Sequence, residues 1–512
     1  WAAWLQERHG EIEALQNHWN MTPDELPDFQ SAPLPEQSEI AFDVEDIKKL
    51  KKNTRWLDYT LFTMEIHNRW AKELLGAIQN DAPQQLVTVG QDEALGRGPR
   101  PSPFFYAEAV DYTTVHSWWL NDDLVWDGVF GKAPNKPNLI QETGVMYLEN
   151  PNNTGKRSES EIQYMLERKY AYAFSTGSAG AVQWLWNTNY FMDNVNESNI
   201  GAVRADGTQK PETLVSYEYG SFIKGISNLF ENRELEDVAV VFPYSNDFSN
   251  RRLAFDATTK AVRVLTYDLK VPVRGIGEYH LDSLDEYPPK LIIVPSPHNF
   301  SDAALDKLIE FVENTGAVML FTGPVGLDEY WFESDRIEKE LGKTRLRNVV
   351  REEVLNFNGQ SYPVSYGRRR IAEVSKEVVE DDLGEGSSAL HTLKLGKGEL
   401  VWCPLPVELN DRMDVVGALY KEMLAKADIG NNLVWLNGED SPGIYGRKVV
   451  FEKGNLFVFV SESAMDQNIV VKDPKTERTY QFTLEKERAV LFSTDQNGNL
   501  EEVYRNASVT AQ

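Results

Sequence analysis

The stretch KPNLIQETGVMYLEN, residues 136–150, decides how this chain folds. Its apolar pair Leu139-Ile140 sits between Pro137 and Gly144 and closes on Gln141-Glu142-Thr143. A short apolar run bounded by Pro and Gly reads as a buried strand. A carboxylate at the end of such a strand has two readings. It is a solvated rim glutamate that caps a loop, or it is a group placed for chemistry. The neighbouring elements separate the two.

On either side lie three similar segments: LVTVGQDEA (86–94), AVDYTTVHSWW (109–119) and AVQWLWN (181–187). Helical patterns surround them. Residues 1–20 read as one helix, with Trp1, Trp4, Leu5, Ile12, Leu15 and Trp19 near a helical period. Residues 44–79 read as a long helix with Trp56, Tyr59, Thr60, Thr63, Ile66, Trp70, Leu74 and Ile78 on one side. A third helix, 158–175, opens with the capping-box pattern Ser158-Glu159-Ser160-Glu161. Strands separated by helices or long loops imply parallel β/α units. Each apolar run is followed by polar or aromatic residues: Gln91-Asp92-Glu93, His116-Ser117-Trp118-Trp119, Gln141-Glu142 and Trp186-Asn187. This is the pattern of the C-terminal rim of a β/α barrel, where that fold carries its active residues. Four such units are present, whereas a closed barrel needs about eight.

The style changes near residue 235. Residues 238–434 alternate strands (VAVVFPYS, LIIVPSP, AVMLFTG) with helices, one of them SDAALDKLIEFVENTG with Ser301 as N-cap and Gly316 as C-cap. That is a doubly wound α/β sheet. Residues 440–512 show short strands joined by turns such as Glu452-Lys453-Gly454-Asn455 and Asp495-Gln496-Asn497-Gly498, the mark of a small β-sandwich. The expected division is 1–232, 233–436 and 437–512, within the range that 512 residues allow.

Composition excludes several functions. The net charge of -27 argues against a basic groove for nucleic acid. No apolar run approaches the ~18 residues of a membrane helix. The single cysteine, Cys403, permits no disulfide within the chain and no Cys-rich zinc site, and the chain is read as cytoplasmic. Around it, LVWCPLPVEL lacks the glycine-flanked elbow of a nucleophile, so Cys403 is expected as a buried structural thiol. The histidines show no ligand spacing, and neither a metal nor a cofactor is expected. The opening, WAAWLQERHGEIEALQNHWN, reads as mid-domain helix, so the native N-terminus is expected upstream. The informative excess is aromatic. Of the 13 Trp and 21 Tyr, many fall between residues 104 and 191, where flat rings at strand ends suit stacking on sugar faces.

With these motifs in place, the chain resembles glycoside hydrolase family 42, the β-galactosidases, within the clan of β/α-barrel retaining glycosidases. WLQERHGEIEALQNHWN looks like that family's helix after barrel strand four, RWLDYTLFTMEIHNRWAKELLGAI like the helix leading to strand five, KPNLIQETG like strand seven, and AYAFSTGSAGAVQWLWN like the entry to strand eight. The resemblance continues in order through an amidotransferase-like α/β domain and a β-sandwich. It implies the C-terminal half of a (β/α)8 TIM barrel, with Glu142 as nucleophile and the acid/base glutamate on an Asn-Glu motif upstream of Trp1. It further implies a carbohydrate substrate and a homo-oligomer, most simply a trimer. His116, Trp118, Trp119, Trp184 and Trp186 are the expected substrate-binding residues. Strand alternation turns only one of Trp118 and Trp119 to the site, and it puts Trp184 and Trp186 on one side. The family carries no acid/base on strand five, so Asp92 and Glu93 are assigned to sugar hydroxyls or to the rim. Strand six ends in His116-Ser117-Trp118-Trp119 instead of the family's Asn-Tyr-Pro. That keeps arabinopyranosidase, mannosidase and glucosidase open as alternatives, and the absent acid/base motif keeps open a noncatalytic carbohydrate-binding derivative.

Overall fold

A computed structural model describes residues 1–36, 54–91, 101–118, 121–189, 191–342, 346–368, 371, 375–378 and 386–512. The single helix expected at the start is two, α1 (Ala2–His9) and α2 (Ile12–Trp19). Gly10 divides them at φ 73°, a left-handed conformation that glycine adopts without steric cost. The long helix is α3 (Thr54–Asp81); the remainder of the expected 44–79 segment lies outside the described residues.

The inward face of α3 is not the expected one. Leu57, Asp58, Leu61 and Met64 are buried, while Ile66, Trp70, Leu74 and Ile78 are each more than 40% exposed. Asp58 explains the difference. It accepts hydrogen bonds from Trp19 Nε1 (2.7 Å), Tyr330 Oη (2.7 Å) and Arg8 Nε (3.0 Å), and His9 Nε2 lies 3.0 Å away. A buried carboxylate needs such partners, and satisfying it turns the Leu57–Leu61–Met64 face inward. Hydrophobic periodicity could not detect a core built round a charge.

The barrel segment continues through β1 (Thr113–His116), α4 (Asn121–Phe130), β2 (Asn138–Thr143), α5 (Glu159–Ser175), β3 (Ala181–Gln183) and α6 (Glu212–Gly225). The three strands pair in parallel in the order β1-β2-β3. The capping box of α5 forms as expected, with Ser158 Oγ accepting from Glu161 N and Glu161 accepting from Ser158 N. Residues 86–91 run beside β1 without making a ladder. Asp111 N donates to Val87 O (2.9 Å), but Thr88 Oγ1 donates to Tyr112 O and Thr114 Oγ1 to Val89 O (2.8 Å). Threonine hydroxyls thus take places that backbone amides fill in a regular strand.

The second part is built on β4 (Val238–Phe242), α7 (Tyr244–Arg263), β5 (Arg274–Gly277), β6 (Leu291–Val294), α8 (Asp302–Thr315), β7 (Val318–Thr322), β8 (His391–Leu395), β9 (Gly398–Cys403) and α9 (Asp414–Lys426). Sheet order is β8-β9-β7-β6-β4-β5, parallel except for β8. Strands β4 to β7 are buried along their whole length, as a sheet covered by helices on both faces requires. Ser301 caps α8, and Gly316 closes it at φ 87°. Between β7 and β8 lies an excursion that the sequence did not announce: Glu352–Phe357 pairs with Gln360–Ser365 and with Ser387–Ala389.

The C-terminal part is the expected sandwich of two antiparallel sheets. One holds Val434–Asn437, Gln467–Lys472, Thr479–Leu484 and Thr510–Ala511; the other holds Ile444–Phe451, Gly454–Ser461, Ala489–Asp495 and Leu500–Val503. Phe457, Phe459, Tyr480, Phe482 and Phe492 fill the space between them. One apolar cluster runs on through all three parts, from Trp4 through Val240 to Tyr504. Polar contacts cross the joins too: Trp126 Nε1 to Thr258 Oγ1 (2.9 Å), Tyr445 Oη to Ser175 Oγ (2.9 Å), and Arg488 and Arg505 on the buried carboxylate of Glu167. No described helix is long and apolar enough to cross a membrane.

Candidate active site

Glu142 is the penultimate residue of β2, at the carboxyl end of the strand. Pairing with β1 runs Thr113↔Asn138, Thr114↔Leu139, Val115↔Ile140 and then slips to His116↔Glu142. Gln141 is therefore an extra residue, a bulge of the kind that re-aims a side chain. Without it, Gln141 would stand opposite His116. With it, Glu142 and His116 share a face, and Glu142 Oε2 lies 3.6 Å from His116 Nδ1. The other oxygen, Oε1, accepts a hydrogen bond from the indole Nε1 of Trp118 at 2.8 Å. The Glu142 side chain keeps 23% of its exposure, so a solute can reach the carboxylate.

The glycine of Gln-Glu-Thr-Gly has a steric task. A Cβ on Gly144 would come within 2.8 Å of both the Trp118 ring and the Trp184 carbonyl oxygen. Glycine thus lets Trp118 and the chain leaving β3 close round the carboxylate. Thr143 assists, donating from Oγ1 to Ser117 O (2.6 Å) and accepting at its carbonyl from Trp184 N (2.9 Å).

The structure brings Glu142, His116 and Trp118 together and sets the Trp184 backbone beside them. Trp184 directs its indole N–H to Glu197 Oε2 at 3.2 Å, and Trp186 is 62% exposed. Because β3 ends at Gln183, before both tryptophans, strand alternation does not govern which way they face. Trp119, Asp92 and Glu93 lie outside the described residues.

Sequence reasoning missed three contributors. Gln141 gave no sign that it was a bulge, and Glu197 no sign that it meets Trp184. Lys169, in the centre of α5, donates from Nζ to the Trp118 carbonyl oxygen and is 1% exposed. Burial pulls its pKa down to about 8, against the opposing pull of Asp123. Its one signal was a lysine directly before the aromatic run Tyr170-Ala171-Tyr172-Ala173-Phe174. Cys403 is buried, as expected, and burial pushes its thiol well up, away from the reactive thiolate. Among the described residues no group of three or more His, Cys, Asp or Glu is arranged to hold a metal ion.

No family model matches the sequence, and no curated protein matches it. Solved structures do match in fold, among them several GH42 β-galactosidases. The chain superposes on a catalytic mutant of Gan42B, a GH42 β-galactosidase from G. stearothermophilus, with a TM-score of 0.72 at 16% identity, over 97% of this chain and 75% of that one. The β-galactosidase from Bacillus circulans sp. alkalophilus gives 0.70 at 16% identity, over 96% and 75%. The GH42 exo-carrageenase from Bacteroides ovatus gives 0.60 at 12% identity, over 96% and 62%. The chain therefore has the GH42 fold, as the sequence resemblance implied.

Proposed function

We propose that this chain belongs to a retaining glycoside hydrolase in which Glu142 is the nucleophile. The observation that carries the proposal is the Glu142 carboxylate at a barrel strand end, reachable by solutes, held by the Trp118 indole N–H and set beside His116. Retaining glycosidases use two carboxyl groups about 5 Å apart, one attacking the anomeric carbon and one protonating the leaving oxygen. Glu142 attacks in this scheme. The second carboxyl comes from the Asn-Glu motif that the family resemblance puts upstream of Trp1. Trp119, Trp184 and Trp186 supply ring faces for the sugar, Trp118 is buried and supplies its N–H to Glu142 instead of a ring face, and Asp92 and Glu93 supply hydroxyl contacts.

Terminal β-galactoside-type linkages are the favoured substrates, since the fold is shared with β-galactosidases. The same fold also serves an exo-carrageenase, and strand six departs from the family pattern. Arabinopyranosides, mannosides and glucosides therefore belong in the substrate panel. A noncatalytic carbohydrate-binding protein is the second reading, and turnover in the same assay separates the two.

The test is turnover of a panel of aryl β-glycosides by the full-length protein and its Glu142→Gln variant. Gln keeps the shape and removes the nucleophile, so turnover should fall by at least about a thousandfold. Activity within tenfold of wild type rejects the assignment. Residues 233–436 are assigned to self-association, because no catalytic signature is left in that part, and the family resemblance implies a trimer. A monomer by light scattering at micromolar concentration contradicts this.

A further inference from the structure

Trp118 occupies an awkward place. Its indole holds Glu142, yet its main chain has already left the sheet. β1 ends at His116, and the last bonds that tie the segment to β2 are Ser117 N to Glu142 O (3.0 Å) and Thr143 Oγ1 to Ser117 O (2.6 Å). The next fixed point comes from outside the sheet, where the Lys169 ammonium of α5 meets the Trp118 carbonyl oxygen. An ammonium is costly to bury, and a methionine would fill the same space without that cost, so packing does not account for a lysine there.

Helix α5 is itself held from behind. Glu167 binds Arg488 and the backbone N–H of Ala489, and Arg168 Nε meets Glu462 Oε1 at 3.2 Å. Glu462 belongs to the C-terminal sandwich part. The same oxygen accepts from Asn121 Nδ2, at the start of α4, at 2.5 Å. Trp118 and Asn121 are three residues apart. One is tied to α5 and the other to the residue that grips α5.

We propose that Lys169 is a positioning residue for the Glu142 site. By holding the Trp118 carbonyl it fixes the indole N–H on the Glu142 carboxylate, and Glu462 holds Asn121 at the start of α4. The inference rests on the reading of Glu142 as nucleophile, and it gives the C-terminal sandwich a part in catalysis. A loosened Trp118 leaves the carboxylate free to rotate away from the attacking geometry. That slows the chemical step without weakening capture of the sugar.

The experiment uses the full-length protein and the aryl glycoside it turns over best. Lys169→Met, which keeps volume and removes the donor, should lower kcat about tenfold, the loss of one hydrogen bond, with KM within about twofold. Lys169→Gln restores an N–H donor on a slightly shorter arm and should recover at least threefold of that loss. Both should melt within a few degrees of wild type. Equal impairment of Met and Gln overturns the proposal, as does a kcat loss that simply follows lost thermal stability. If Lys169→Met does not fold, Glu462→Ala takes its place. It should lower kcat about threefold at unchanged KM, and an unchanged kcat overturns the proposal. Glu142→Gln separates this inference from its premise. An inactive Glu142→Gln beside a fully active Lys169→Met overturns the Lys169 role alone; an active Glu142→Gln removes both.

Discussion

Replacing Glu167 by alanine should unlock the C-terminal sandwich from the barrel segment, and its size can be worked from the contacts. The Glu167 side chain is fully buried. It binds Arg488 through Nε (3.0 Å) and Nη2 (2.6 Å), accepts from Ala489 N (2.9 Å), and lies 3.4 Å from Arg505 Nε. Removing one member of a buried ion pair costs roughly 3–5 kcal/mol, most of it the charge left behind. Here the stranded guanidiniums keep 14% and 18% of their exposure, so water relieves part of the cost. The lower figure, about 3 kcal/mol, is the appropriate one. For a cooperative unit of roughly 150–250 residues that is a fall of about 6–12 °C in Tm. Calorimetry of the transition that includes the sandwich reads it directly. Arg488→Ala should add much less on the Glu167→Ala background than alone, because the two act on one interaction. A Tm change under about 2 °C with additive effects would refute the claim that this cluster joins the two parts.

Three further outcomes follow from the site and its surroundings. Trp118→Phe leaves a smaller aromatic ring and removes the hydrogen bond to Glu142; a charge-assisted bond to a part-exposed carboxylate is worth about 1.5 kcal/mol, so steady-state kinetics should show kcat about tenfold lower. An effect under twofold would mean the indole does not orient the carboxylate. Gly144→Ala must push Trp118 or the Trp184 backbone aside, at about 1–3 kcal/mol of overpacking, and activity should fall further than melting temperature does. Glu278 is buried against Ser245 and the Ser301 amide, and burial raises its pKa to about 7 from the ordinary 4.5. The folded state therefore holds a proton that the unfolded chain has lost, and the group's contribution is full below the unfolded value and disappears as pH rises through 7. Between about pH 5 and 7.5 Tm should drop less in Glu278→Gln than in wild type; equal slopes would contradict this.

Much of this architecture was legible because it depends on local chemistry. Ser158, Ser301 and Gly316 marked helix ends through groups that satisfy orphan backbone amides and carbonyls, and such signals are contained within a few residues. The buried strands β4, β6 and β7 announced themselves as unbroken apolar runs. The place of Glu142 at a strand end was legible from the apolar run it closes. What failed was whatever a distant partner decides. Nothing within α3 says that Asp58 will meet Tyr330, so the inward face was misjudged. The threonine hydroxyls that replace a ladder beside β1 look like ordinary strand residues. A bulge at Gln141 and a lysine on the Trp118 carbonyl are tertiary facts with almost no local trace.

The apolar cluster that passes from Trp4 through Val240 to Tyr504 without stopping at either join has a practical meaning for protein engineering. The three parts are not interchangeable cassettes. A chimaera that exchanged only residues 437–512 would set a foreign sandwich against a native α5, and Glu167, Arg168 and Ser175 would face surfaces they were not shaped for. Grafting must carry α5 along with the sandwich, or redesign both sides of the seam together. Tags and inserted domains belong instead on the excursion between β7 and β8, for example at the exposed turn Asn358-Gly359, which joins Glu352–Phe357 to Gln360–Ser365.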